Sequence, residues 1–233
     1  MGAAMQKVIA YCEDRYGEHF LGYHICSGDC GEWSYAWRHY TQSDYSPAQL
    51  AAFRQWLALR RPGAENAEIP RDWRRHAGQS CLLDPKADQA LIDYLSFQSE
   101  TVEDAILHFA RLAKKELKRL GRTKIVAAFY GYHFPPPGQS SAFCNSGHHS
   151  IGRILESPDV DVLCAPYSYY RREAGGTYFS QLLAGSVRLH GKLYYSEEDT
   201  VTHISKPVAY RYNCPDLFAS ENVLKRNTLG ALM

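Results

Sequence analysis

Two groups of acidic residues follow apolar runs that are far apart in the sequence. Asp29 and Glu32 come just after "HFLGYHIC" (19–26), and Glu197, Glu198 and Asp199 close the run "KLYYSEED" (192–199). The carboxyl ends of parallel strands meet at one edge of a sheet, so we expect the two groups to face each other. Glycoside hydrolysis needs such a pair: one carboxyl protonates the leaving oxygen, and the other attacks the sugar or activates water.

Only one of the two neighbouring glutamates in the second group can complete the pair. Neighbouring residues of a strand point to opposite faces, so either Glu197 or Glu198 faces the same site as Glu32, but not both. A charged residue at a strand end is in general simply solvated, and it is the pairing of Glu32 with the second group that favours catalysis.

Aromatic and polar residues follow the two strands predicted between these acids. Tyr and Trp side chains offer flat faces with a polar group, which suits the stacking of sugar rings, although they also fill ordinary cores and loops. The candidates for sugar contacts are Tyr132, His133, Asn145, Tyr167 and Tyr169.

A metal site is the rival interpretation. His24, Cys26 and Cys30 lie close together in sequence, and His148 with His149 could add ligands. No second Cys pair follows at a finger-like interval, and a lone strand Cys is more often a small buried apolar residue. We therefore expect no metal. Glycine-rich phosphate loops and a Gly-x-Ser-x-Gly elbow are absent from the sequence, so no nucleotide cofactor or serine nucleophile is predicted.

Composition limits the partners and the location. The 233 residues carry a formal net charge of +1, which argues against a nucleic-acid surface. No apolar run is long enough to span a membrane, and the N-terminus lacks the pattern of a signal peptide. The 7 Cys residues are scattered and odd in number, which fits a reducing compartment. We expect a cytoplasmic protein without a membrane partner.

The pattern of the chain predicts an α/β fold. Strands are predicted at 19–26, 124–132, 159–166 and 192–199, and helices at 3–15, 46–60, 88–118, 148–157 and 220–233. Ser46 is the predicted N-cap of the second helix, and Gly121 is predicted to end the third. Strands that alternate with helices indicate parallel strands joined by crossover helices.

Several motifs, in one order, resemble a known family. The stretches "GYHICSGDCGEW", "DYSPAQLAAFRQWL", "ILESPDVDVLCAPYSYYRREAGG" and "SVRLHGKLYYSEEDTVTH" resemble segments of the β-galactosidases of glycoside hydrolase family 42. The resemblance extends from about 18 to 233 and implies a retaining (β/α)8-barrel glycosidase of carbohydrate metabolism, but it does not identify the sugar.

The resemblance also implies roles for individual residues. Glu32 falls where these enzymes carry the acid/base after barrel strand 4, although Gly31 stands where much of the clan has Asn. The nucleophile is expected at the end of strand 7. The pattern there favours Glu197, supported by Asp199 and His203 as further site residues, and a commoner clan pattern would favour Glu198.

The same mapping predicts an incomplete barrel. The four predicted strands correspond to strands 4 to 7, so we expect residues 1–233 to form a single α/β domain, a partial (β/α)8 (TIM) barrel or barrel fragment without strands 1–3 and 8. Such a sheet should self-associate or pair with a missing barrel segment, and its activity alone should be weak. The alternative is a non-catalytic carbohydrate-binding or assembly protein built on an incomplete barrel.

Overall fold

Four parallel strands form the centre of the protein. The computed structural model describes residues 1–28, 31–34, 44–64, 66–71, 83–133, 146–209 and 211–232. The strands are β1 (Gly22–Ile25), β2 (Ile125–Phe129), β3 (Val162–Pro166) and β4 (Leu193–Glu197), and they lie side by side in sequence order. All three pairings are parallel, which confirms the predicted α/β class.

Six α-helices occur in the described ranges, together with a 3-10 turn at Gly17–His19. The helices are α1 (Gly2–Tyr16), α2 (Pro47–Ala58), α3 (Gln89–Arg119), α4 (Gly152–Glu156), α5 (Ala184–Leu189) and α6 (Leu217–Leu232). The helix expected at 148–157 is shorter than predicted, and α5 was not predicted. None of the helices in the described part of the chain combines the length and the apolar character needed to cross a bilayer.

The long helix α3 supports the back of the sheet. Its buried residues Val102, Ile106, Ala113 and Leu117 recur at the spacing that places them on one side of the helix. Gly121, at φ +68°, ends the helical run as predicted, because glycine adopts this left-handed conformation without a steric penalty. A second cluster of aromatic and aliphatic side chains joins α2 to the N-terminal half of α3.

The two faces of the sheet have different environments. Val126, Ala128, Leu163 and Ala165 belong to the main hydrophobic core, which they share with residues of α1, α3, α4 and α5. The opposite face carries Leu193 and Tyr195 of β4, each 60% exposed. The helices therefore cover one face of the sheet far more completely than the β4 side of the other.

A short segment crosses the carboxyl ends of β2 and β3. Leu182 forms an antiparallel bridge with Tyr132, and Ser180 forms one with Tyr167. The N–H of His133 donates to the carbonyl of Gln181 at 2.8 Å. The ends of β2 and β3 are thus connected through residues 180–182.

Candidate active site

Backbone geometry fixes Glu32 just beyond β1. Glu32 forms a parallel bridge with Ser27, and the N–H of Trp33 donates to the Ser27 carbonyl at 2.9 Å. Gly31 and Trp33 both have positive φ, +81° and +56°. For a bulky residue such as tryptophan this conformation is costly, so surrounding contacts must hold it. One such contact is the indole Nε1, which donates to the Ile25 carbonyl at 3.0 Å.

His148 joins Glu32 to the end of β2. Its side chain is fully buried. Nε2 donates to the carbonyl oxygen of Glu32 at 2.9 Å, and Nδ1 accepts from the N–H of Tyr132 at 3.3 Å. Since Nδ1 accepts, the ring is neutral. Burial lowers the pKa of His148 to about 3, against the weaker raising effect of the hydrogen bond to the Glu32 carbonyl.

The Tyr132 side chain bonds to one of the two predicted catalytic carboxyls and is influenced electrostatically by the other. Its hydroxyl donates to Oε1 of Glu32 at 3.3 Å. Burial, together with the charges on Glu32 and Glu197, raises the pKa of Tyr132 far above its usual range. Tyr132 is therefore a permanent hydrogen-bond donor, and both carboxyls lie near enough to act on it.

Glu197 and Glu198 face different surroundings. Tyr194 and Ser196 of β4 bond to the hydroxyl of Tyr178 on the helix side of the sheet, at 3.1 Å each. Alternation places Glu197 on the other face and Glu198 on the helix side. There Oε1 of Glu198 accepts from Nδ2 of Asn227 in α6 at 3.0 Å and from the Thr200 hydroxyl.

Charged neighbours act on Glu197 in opposite senses. Burial, reinforced by the charge on Asp199, raises the pKa of Glu197. The guanidinium groups of Arg211 and Arg172 oppose that rise. Glu197 is thus a half-buried carboxyl whose ionisation depends on its neighbours.

Asp199 accepts bonds from three side chains. Nη1 of Arg172 donates to Oδ1 at 2.6 Å, Nη1 of Arg211 donates to Oδ2 at 2.7 Å, and the Tyr169 hydroxyl donates to Oδ2 at 2.8 Å. The ring of Tyr169 stacks under the Arg172 guanidinium, with 3.8 Å between CZ and the ring centroid. Asp199 and Tyr169, both predicted to contact sugar, therefore lie in one cluster beside Glu197.

Three other predicted site residues in the described ranges form hydrogen bonds with residues other than Glu32 and Glu197. The Tyr167 ring is buried, and its hydroxyl lies 2.7 Å from the Thr200 hydroxyl. Nδ1 of His133 donates to the Gly131 carbonyl at 2.6 Å. His203 is linked to α6, since its N–H and its ring contact the Ser220 hydroxyl at 3.0 and 2.9 Å. Asn145, with Asp29, lies outside the described residues.

The residues of the rival metal interpretation do not form a cluster in the described ranges. Within them, no group of three or more His, Cys, Asp and Glu side chains has the geometry of a metal site. Both ring nitrogens of His148 are used by backbone groups. Cys30 lies outside the described residues.

Three residues that the sequence reasoning did not single out as site residues shape this site. Arg172 and Arg211 bind Asp199, and His148, considered only as a metal ligand, holds Glu32. The opposite charges of "YYRREAGG" and "SEED" at neighbouring strand ends are a signal for an ion pair across them. That signal does not distinguish Arg171 from Arg172. Nothing in the local sequence of His148 indicates its partners.

Comparison with known proteins gave no match to a family model, to a curated protein or to a solved structure.

Proposed function

We propose that this protein is a β-galactosidase-like retaining glycoside hydrolase that uses Glu32 and Glu197. The observation that carries the proposal is the position of Tyr132. Its hydroxyl bonds to Glu32, and the charge on Glu197 acts on the same hydroxyl. One carboxyl bonds to a buried donor, and the charge on the second acts on the same donor from the end of β4, which supports two-carboxylate glycoside hydrolysis.

The proposed reaction has two steps. In the first, a carboxylate oxygen of Glu197 bonds to the anomeric carbon while the bond to the leaving oxygen breaks, and Glu32 gives its proton to that oxygen. In the second, Glu32 takes a proton from water, and the water oxygen displaces Glu197 from the sugar. The raised pKa of Tyr132 makes its hydroxyl a poor acid, so its role is to hold Glu32 in place.

The fold assignment is part of the proposal. We infer that β1 to β4 correspond to strands 4 to 7 of a (β/α)8 barrel, as the motif resemblance implies. Parallel strands in sequence order, with helices packed on one face, support this reading. The position of Glu197 at the end of β4 and of Glu32 beyond β1 supports it as well, because active sites of such barrels lie at that end.

Turnover of aryl β-galactosides and related aryl glycosides tests the proposal. Glu32→Gln and Glu197→Gln should each lower kcat/KM by at least about a hundredfold, in the range typical of general acid–base groups. Glu198→Gln is the matched control, since it changes the neighbouring carboxyl on the helix side. Its kcat should stay close to that of the unchanged protein.

A covalent trap assigns the roles. An activated 2-deoxy-2-fluoro glycoside forms the first bond and hydrolyses it slowly, so mass spectrometry of peptides locates the sugar. A sugar on Glu197 supports the assignment. A sugar on Glu32 would exchange the two roles, and neither turnover nor a trapped sugar with any aryl glycoside would refute the hydrolase.

A non-catalytic carbohydrate-binding protein is the second candidate. The observation that favours it is the exposed Tyr195 on the sheet face away from the helices. An exposed aromatic ring can stack on a sugar without any chemistry. Saturable binding of galactosides that is lost in Tyr195→Ala and unaffected by Glu197→Gln, in a protein without turnover, would establish this candidate instead.

A further inference from the structure

We propose that Arg172 is a positioning residue that, by binding Asp199, fixes the end of β4 on which Glu197 lies and places positive charge beside that carboxyl. The inference rests on the proposed function, in which Glu197 attacks the sugar. Arg172 itself does not face the substrate, since its side chain is only 3% exposed.

Every polar edge of the Arg172 guanidinium is held. Nε donates to the Ser168 carbonyl at 2.8 Å, Nη2 to the Tyr167 carbonyl at 2.7 Å, and Nη1 to Oδ1 of Asp199 at 2.6 Å. The rings of Tyr167 and Tyr169 lie against its plane, with centroids 3.7 and 3.8 Å from CZ. Because the planar guanidinium of Arg172 is fixed by these contacts, it can bind Asp199 in only one well-defined position.

Arg172 connects two strand ends. It lies in the loop after β3, and Asp199 lies two residues beyond the last residue of β4. A buried guanidinium without a counter-charge would be costly, and Asp199 supplies that charge. Arg211 adds a second guanidinium on the other oxygen of Asp199. Two cations and one anion leave one net positive charge close to Glu197.

The titratable and charged groups that interact electrostatically with Glu197 come from three strands and the loops that follow them. Asp199 and Arg211 follow β4, Arg172 and Cys164 belong to β3 and its loop, and Tyr132 follows β2. Burial raises the pKa of Cys164 to about 12 and that of Tyr132 higher still, so both are uncharged near neutrality. The ionisation of Glu197 therefore responds to the two arginines and to Asp199.

Two substitutions in one network should have opposite effects. Arg172→Met removes a positive charge and should move the acid limb of the kcat/KM profile to higher pH. Asp199→Asn removes a negative charge and should move the same limb to lower pH. Each shift is expected to be about 0.5–1 pH unit, as for a nearby charge. If Arg172 and Asp199 had only a structural role, both variants would lose activity, but the acid limb of the kcat/KM profile would not move in opposite directions.

A titration that does not depend on turnover accompanies the kinetics. The carboxyl carbon of Glu197, assigned through Glu197→Gln in a protein with labelled Glu, is followed by NMR against pH. It should titrate higher in Arg172→Met and lower in Asp199→Asn than in the unchanged protein. Arg171→Met is the control, since Arg171 is exposed and pairs with Glu173. It should leave the Glu197 titration unchanged.

The outcomes separate the two proposals. Equal, absent or same-sign shifts of the Glu197 titration would overturn the role of Arg172. If Arg172→Met does not fold, Arg172→Gln takes its place, because Gln removes the same charge and keeps N–H donors for the loop carbonyls that Arg172 binds. A protein without turnover on any aryl glycoside refutes the hydrolase, whereas the NMR titration still decides whether this network controls Glu197.

Discussion

The hydroxyl of Tyr132 lies 3.3 Å from Oε1 of Glu32, although 100 residues separate them in sequence. The backbone N–H of the same tyrosine bonds to His148, whose other nitrogen holds the Glu32 carbonyl. Tyr132 is thus tied to Glu32 through its backbone and through its side chain. The relative position of the two residues is set by three hydrogen bonds.

Tyr132→Phe keeps the ring and removes only the hydroxyl bond. A bond to a charged group contributes about 1.5–3 kcal/mol, so kcat/KM should fall by roughly tenfold or more. In the unchanged protein the hydroxyl bond stabilises the charged form of Glu32. Its removal should therefore raise the pKa of Glu32 and move the alkaline limb of the kcat/KM profile to higher pH. Steady-state kinetics across pH checks both effects. An unchanged profile with wild-type kcat/KM would show that this hydroxyl has no part in the reaction.

His148 should make folding stability depend on pH. Its pKa is lowered from 6.5 to about 3 in the folded protein, so the unfolded chain binds the proton more readily. The contribution of His148 to the free energy of unfolding is fully present above about pH 6.5. It should be lost as the pH falls towards 3, by up to about 1.4 kcal/mol per pH unit. Urea unfolding across this range measures the slope.

His148→Gln separates this effect from other acid-sensitive groups. Gln can donate and accept at similar positions but does not titrate there, so the slope should become shallower. His190→Gln is the control, because His190 is exposed. If both variants show the slope of the unchanged protein, His148 is not the cause.

Gly131 should resist substitution by alanine. Its φ is +87°, and an added Cβ would lie 2.6 Å from Cδ1 of Ile151 and 2.7 Å from Cδ1 of Leu182. Gly175 has a similar φ of +83° but has no atom within 4 Å of such a Cβ. Gly131→Ala should therefore lose about 1–3 kcal/mol more stability than Gly175→Ala, because only the first overpacks the core. Thermal or urea unfolding of the two variants makes the comparison, and equal losses would contradict it.

Ser46 caps α2 and should contribute to its stability. Its hydroxyl oxygen accepts from the N–H of Gln49 at 3.2 Å, and Pro47 occupies the first turn. Ser46→Ala should cost about 1 kcal/mol of unfolding free energy, and Ser46→Asn should recover most of it. Activity should stay unchanged in both. A loss in the Asn variant as large as in the Ala variant would rule out the cap as the cause.

Apolar runs predicted all four strands. The physical reason is clearest for β3, in which every residue is buried, because strands covered on both faces of a parallel sheet are continuously apolar. Their ends were predicted less accurately. The run at 124–132 continues as far as Tyr132, yet β2 ends at Phe129, and Gly131 turns the chain with a positive φ. Aromatic residues beyond a strand extend its apolar run without extending its hydrogen bonds.

The choice between neighbours needed the structure. Alternation states that Glu197 and Glu198 point to opposite faces of the sheet, but it does not say which of them faces the helices. Polarity does not mark the exposed face either, because Leu193 and Tyr195 on that face are apolar. Arg171 and Arg172 are likewise adjacent and identical, and only tertiary contacts distinguish the exposed residue from the buried one. Strand-end position predicted where the candidate site lies, whereas its internal contacts depend on distant segments.

The loop that follows β3 should tolerate changes in length at some positions and not at others, because residues 180–182 cross the ends of β2 and β3. Ala174 and Gly175 are exposed, and a side chain added at Gly175 would meet no atom within 4 Å. Insertions there would leave both bridges in register. An insertion between Ser180 and Leu182 would instead shift one bridge relative to the other, and Tyr132 would lose its register with the Tyr167 loop. Diversity in this loop is therefore expected at its tip, while the bridged segment keeps its length.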